Sequence, residues 1–199
     1  MFSVNIDKLI DMTETERESY QKLVDTFLIE YGKECSTLAL IGGGVKAFKM
    51  ASMFMKAGNR VLFIDGDTTT EVFLGKYKLD KNLKGIVDYM TKEEHSDSLK
   101  DEMICVTNHE QMDIMFTGAL EDHVVTPEEE KQMAELLETY QKDYDYIIVD
   151  SDDEGEIAKY CKGTLVIIDE GDYSEISSEN RVQELNDKGC NVLGVIINE

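Results

Sequence analysis

Between Tyr20 and Tyr31 the apolar residues Tyr20, Leu23, Val24, Phe27, Leu28 and Tyr31 recur every three or four positions, the spacing that lays one stripe along an amphipathic helix. Gly32 is placed to stop that helix. Beyond it, apolar runs of strand length alternate with helical patterns: strands are predicted at residues 37–41, 60–64, 144–149, 164–168 and 191–197, with helices ending at Ala57 and spanning 174–188. Strands apolar on both faces and separated by helices indicate a parallel sheet covered on both sides. The expected fold class is therefore α/β, an open and mostly parallel sheet with helices on both faces. Right-handed crossovers then bring the carboxyl ends of the strands to one edge, where a ligand site belongs.

The middle of the chain, 68–127, carries weaker signals. Residues 103–106 and 112–116 read as short strands and 83–90 as one short helix. Pro127 is the chain's one proline and precedes Glu128, Glu129 and Glu130, so a helix over 128–141 is predicted, with proline and acids where a helix start favours them. At 199 residues and 42% apolar, the chain has material for one well-filled core, and a single domain over 1–199 is expected, with 1–32 as a helical lead-in. No run approaches the length of a membrane span and no leader pattern opens the chain, so a soluble cytoplasmic protein without membrane insertion is expected. Cys35, Cys105, Cys161 and Cys190 form no C-x-x-C pair and are expected to be reduced, buried apolar residues.

A formal charge of −22 opposes any surface that must neutralise phosphates, which excludes nucleic acid as a partner. Solvated acidic faces account for it, and a basic protein partner is the sharper alternative.

Candidate chemistry gathers at three strand ends: Gly42, Gly43 and Gly44 after the first, Asp65 and Asp67 after the second, and Asp150 after a later one. In this order they resemble the deviant-Walker ATPases of the MinD and ParA type, and more closely the bacterial tyrosine kinases of capsule and exopolysaccharide export. The stretch 18–23 is similar to the helix those kinases carry before the first strand, 143–150 to their Walker B strand, and 112–118 to the strand before their substrate loop. Residues 194–198 resemble their last strand, which implies that Asn198 reads adenine. The resemblance covers nearly the whole chain and implies a P-loop NTPase fold, Asp65, Asp67 and Asp150 as the carboxylates that manage magnesium and water, and a partner in the cytosolic part of a membrane polysaccharide-export protein.

The departures fall on the chemistry. A working phosphate loop needs G-x-x-x-x-G-K-[ST], because backbone amides cradle the phosphates, the lysine neutralises them and the hydroxyl holds magnesium. Here Gly44-Val45-Lys46-Ala47-Phe48 offers no such triplet, and the segment up to Gly58 is shorter than in the family by roughly one helical turn. Lys46 and Lys49 are the available substitutes, but with Ser52 and Lys56 they share one arc of a helical wheel, which reads as a solvent stripe on a packed helix. Ser151, Asp152, Asp153, Glu154 and Glu156 add acid beside the site, and such charges repel a triphosphate unless a cation intervenes. Read alone, that run is a hydrated loop and helix start. The vestigial nucleotide residues are thus Gly42, Gly43, Gly44, Lys46 and Asn198; no cofactor is assigned, and Mg-ATP binding is expected to be weak or absent. Asp65, Asp67 and Asp150 are weak metal candidates and the remaining catalytic candidates.

Two more family devices are eroded. The E-x-x-R-x-x-R oligomerisation pattern falls on Glu18, Gln21 and Val24, and no tyrosine-rich tail precedes Glu199. Tyr140, Tyr144, Tyr146 and Tyr160 suit packing better than phosphorylation. His95, His109 and His123 have no assignable aspartate partner or nucleophile. The expected function is a non-catalytic binding or regulatory subunit linked to capsule or exopolysaccharide production. The alternatives are an active ATPase or tyrosine kinase with a nonstandard phosphate loop, and a partitioning ATPase, which fits the fold and conflicts with the charge.

Overall fold

The computed structural model describes residues 2–67, 84–91, 97–118 and 126–198. In chain order the elements are β1 (Phe2–Val4), α1 (Glu14–Glu30), β2 (Thr37–Ile41), α2 (Val45–Lys56), β3 (Val61–Gly66), α3 (Ile86–Met90), α4 (Asp97–Met103), β4 (Ile104–Thr107) and β5 (Met112–Met115). They continue with α5 (Pro127–Glu130), α6 (Gln132–Tyr140), β6 (Tyr146–Ser151), β7 (Gly163–Asp169), α7 (Glu175–Asp187) and β8 (Val192–Asn198). The eight strands form one sheet in the order β1-β4-β5-β3-β6-β2-β7-β8. Every pairing is parallel except β4 with β5, a hairpin that brings Ile104 opposite Met115. This is the expected α/β architecture.

The strands lie where apolar runs predict them because β2, β3 and β6 are buried along their whole length. A strand covered on both faces reads as a near-continuous apolar run. One core joins α1 and α2 to the sheet through residues such as Phe27, Phe54, Phe63 and Ile148. The other, on the opposite face, is filled from α3, α6 and the strands by Tyr89, Leu136, Ile147 and Val149. Tyr140, Tyr144 and Tyr146 are buried as expected, and Tyr160 packs half-buried against the second core.

Helix α1 starts earlier than its apolar stripe. Thr13 caps it through a reciprocal box in which the Glu16 amide donates to Thr13 Oγ1 at 3.3 Å and the Thr13 amide donates to Glu16 Oε2 at 2.8 Å, satisfying two donors that a bare helix end leaves open. The predicted lead-in is also not wholly helical. Phe2–Val4 pairs in parallel with β4 at the sheet edge, and three residues are too short a run to show a period. The helix predicted over 128–141 begins at Pro127 behind a Thr126 cap and divides at Lys131, where the Ala134 amide donates to the Lys131 carbonyl at 3.2 Å. That bond spans three residues and tightens the turn. Leu83, His95 and His123 lie outside the described residues.

Candidate functional site

The strand order sets β3, β6, β2 and β7 side by side, so their carboxyl ends share one edge. Asp65 pairs in register with Asp150 across β3 and β6, and Asp150 with Leu40 across β6 and β2. The glycine turn, Asp65 and Asp150 therefore meet as the sequence predicts. Asp67 follows one residue beyond the end of β3, and behind burial its charge helps raise the carboxyl pKa of both Asp65 and Asp150.

Only Gly42, Gly43 and Gly44 separate β2 from α2, and the turn is compact. Gly42 has φ of 74°, and a Cβ there would sit 2.6 Å from the Ile167 carbonyl oxygen. At Gly43 a Cβ would lie 2.6 Å from Ala47 Cβ and 3.1 Å from Asp150 Oδ1, so neither position has room for a side chain. The Gly44 amide donates to Asp150 Oδ1 at 2.9 Å, which turns one backbone donor of the loop inward, onto the protein's own carboxylate. Ala47 and Phe48 are fully buried, and Phe48 packs edge-on against Phe63, so no hydroxyl stands at the start of α2.

Burial pushes the Asp65 and Asp150 carboxyls up to about 7. At Asp65 the charges of Asp150 and Asp67 add to burial while Thr117 opposes it. At Asp150 the Gly44 amide opposes it, and Asp67 and Asp153 reinforce it. Asp65 Oδ2 is buried without a hydrogen-bond partner. Among the described residues no group of three His, Cys, Asp or Glu side chains is placed to hold a metal ion.

Lys46 and Asn198 both engage Asp169. Lys46 Nζ lies 2.5 Å from Asp169 Oδ1, and Asn198 Nδ2 donates to the same oxygen at 2.7 Å. Asp169 and Asn198 are cross-strand partners at the ends of β7 and β8. The Lys46 contact, then that of Asn198, holds the Asp169 carboxyl below the ordinary carboxylate value. Sequence reasoning missed Asp169. Its one signal was an acid at the carboxyl end of a strand, the edge where ligands bind in this architecture.

The solvent-stripe reading of α2 needs correction. Ser52 is fully buried and donates to the Lys49 carbonyl at 2.6 Å, and Lys49 Nζ meets Glu16 Oε1 at 2.9 Å. Helix α1 lies over this side of α2, so polar residues spaced like a surface stripe are covered and paired; Lys56 alone of the four is exposed. The acidic run after β6 is only partly a hydrated loop. Asp152 is buried, Glu154 is held by Lys188 and Glu156 by Lys159, while Asp153 is exposed.

His109 does have an aspartate partner, Asp7, 3.0 Å from its Nε2. The pair lies at the opposite edge, where Gln111 accepts from the first amide of β3. Val24, third in the eroded oligomerisation pattern, is fully buried in the first core and cannot reach another subunit. All four cysteines are buried and free, and no described helix is long and apolar enough to cross a membrane.

A family model described as an AAA domain matches residues 41–169. The tyrosine-protein kinase CpsD of Streptococcus pneumoniae serotype 4 is 24% identical over 191 aligned residues, covering 85% of this chain and 82% of the kinase. The CpsD of Streptococcus agalactiae serotype III is 24% identical over 194, covering 92% and 82%. Among solved structures, the chimerical protein CapA2B2 superposes with a TM-score of 0.75 at 16% identity, covering 99% of this chain and 92% of its own. The kinase domain of the Escherichia coli tyrosine kinase ETK superposes with a TM-score of 0.74 at 19% identity, covering 92% and 74%.

Proposed function

Because the chain belongs to the AAA domain family, matched over residues 41–169, we propose that it is a member in which the nucleotide site is closed on itself, acting as a non-catalytic binding or regulatory subunit in capsule or exopolysaccharide production. One observation carries this reading. The groups that would meet a nucleotide are held by the protein's own carboxylates: the Gly44 amide by Asp150, and Lys46 and Asn198 by Asp169. A nucleotide would have to displace these contacts, and charge-assisted hydrogen bonds contribute roughly 1.5–3 kcal/mol each.

The residues present are a poor match for a magnesium nucleotide. Ala47 and Phe48 supply no hydroxyl to the metal, and three residues between β2 and α2 leave too little loop to wrap a phosphate. The proposed partner is a protein, the cytosolic part of a membrane polysaccharide-export protein, which places the chain in the cytoplasm. The likeness to the CpsD tyrosine-protein kinases supports that setting.

A second reading, an ATPase with a nonstandard loop, has one observation in its favour: Asp65 Oδ2 is buried beside Asp150 without a partner, as a carboxylate awaiting a cation would be. Calorimetry with Mg-ATP separates the two. Loss of the lysine and hydroxyl contacts should weaken binding by about two to four powers of ten, so no heat, no phosphate release and no phosphotyrosine are expected. Micromolar binding abolished by Lys46→Ala would establish the nonstandard ATPase instead.

A further inference from the structure

Helix α7 is thirteen residues long, yet only Ser178 and Leu185 are buried in it. A helix in water draws most of its stability from the apolar face it packs, so α7 is thinly anchored and presents most of its surface to solvent. At its start, Tyr173 is 41% and Ile176 74% exposed. Ser174 caps the helix by accepting from the Ser177 amide at 3.2 Å, which fixes Ile176 in the first turn, three residues after Tyr173. Both side chains stand exposed at the start of the helix, three positions apart.

The setting of this pair identifies its occupant. Residues 169–187 carry seven carboxylates against the single cation Arg181, and Arg181 is itself engaged by Glu184 at 3.5 Å. An acidic or neutral partner gains nothing from such a rim, and a second copy of a chain with charge −22 would meet repulsion there. A cationic segment carrying apolar side chains at helical spacing satisfies both features, seating its apolar residues on Tyr173 and Ile176 and its cations among Glu170, Asp172, Glu175 and Glu179.

We propose that the Tyr173–Ile176 pair and the acidic face of α7 form a docking surface for a basic, amphipathic segment of a protein partner. This rests on the reading of the chain as a binding subunit, and adds the chemistry of what it binds. The surface adjoins the closed site, since Asp169 ends β7 immediately before the 3₁₀ turn Glu170–Asp172 that leads into it.

The test is a fluorescence-anisotropy titration of the intact protein with a labelled peptide of about 16 residues, Lys and Leu at helical spacing. Binding is expected at about 50 mM salt and should weaken by about tenfold or more at about 300 mM. Tyr173→Ser with Ile176→Ser should weaken it by about tenfold or more, and Glu175→Gln with Glu179→Gln by several-fold. Glu138→Gln with Asp143→Asn, two exposed acids on and just after α6, should leave it unchanged, and thermal melts would verify that each variant folds. Equal binding by the Tyr173/Ile176 variant, equal loss in the α6 control, equal affinity for an all-Lys peptide or for a neutral apolar one, or a dimer in sedimentation that Ile176→Ser dissolves would each overturn the proposal. Loss of peptide binding with Mg-ATP still silent sinks this surface and leaves the proposed function standing. Tight Mg-ATP binding alongside peptide binding does the reverse.

Discussion

Asp150→Asn should make this protein more stable at pH 8 and do so by a clearly smaller margin at pH 5, because the linkage grows from the unfolded carboxyl value up to about 7. The carboxyl of Asp150 is 4% exposed, and burial raises its pKa from 3.8 to about 7, so the ionised form carries a penalty of about 4 kcal/mol at full deprotonation. The sign follows from proton binding. Between the unfolded value and about 7 the folded protein holds a proton that the unfolded chain has lost, so stability declines as pH rises through that window and levels off above it. Asp65 faces the same pressure and shares the titration, since protonating either carboxyl relieves the other. The gain from removing one charge is therefore put at about 2–4 kcal/mol at pH 8. Asparagine keeps an oxygen for the Gly44 amide, so the glycine turn retains its anchor. Urea unfolding of both proteins at pH 5, 6, 7 and 8, with a chelator present, reads the difference. The other acids among the 42 in the chain also act on stability as pH changes, but equally in both proteins. A variant less stable than the parent at pH 8, or a difference that does not vary with pH, would refute the idea that these carboxylates are held charged at a cost.

Gly42→Ala should cost roughly 1–3 kcal/mol, because its φ is positive and the new Cβ would sit 2.6 Å from the Ile167 carbonyl oxygen; chemical denaturation measures it, and a neutral result would show that the turn can relax. The purified protein should carry no nucleic acid and bind DNA without a measurable salt slope, since a chain of charge −22 has few cations with which to release counterions; micromolar affinity in physiological salt would contradict that.

Much of the scaffold was legible along the chain. The strands β2, β3, β6, β7 and β8 announce themselves as apolar runs, most clearly β2, β3 and β6, where both sheet faces are covered and few polar positions remain within the run. The meeting of Gly42–Gly44, Asp65 and Asp150 followed from parallel strands sharing a carboxyl edge, before any distance was known. Periodicity had less to say about short or polar pieces. Three residues at Phe2–Val4 carry no pattern, and the wheel that placed Ser52 in a solvent stripe could not show that α1 lies across it.

What the sequence by itself determined is the α/β class, the position of the site edge and the absence of a G-K-[ST] triplet, because each depends on local pattern or on residue identity. Only the tertiary structure decided what the remaining polar groups do. Asp150 receives Gly44 from 106 residues away and Asp169 receives Lys46 from 123, and such partnerships arise from strand order. Neighbours in a sheet are set by how the whole chain packs, so the same lysine reads as solvent-facing on a helical wheel and is ion-paired beside a strand end in the fold.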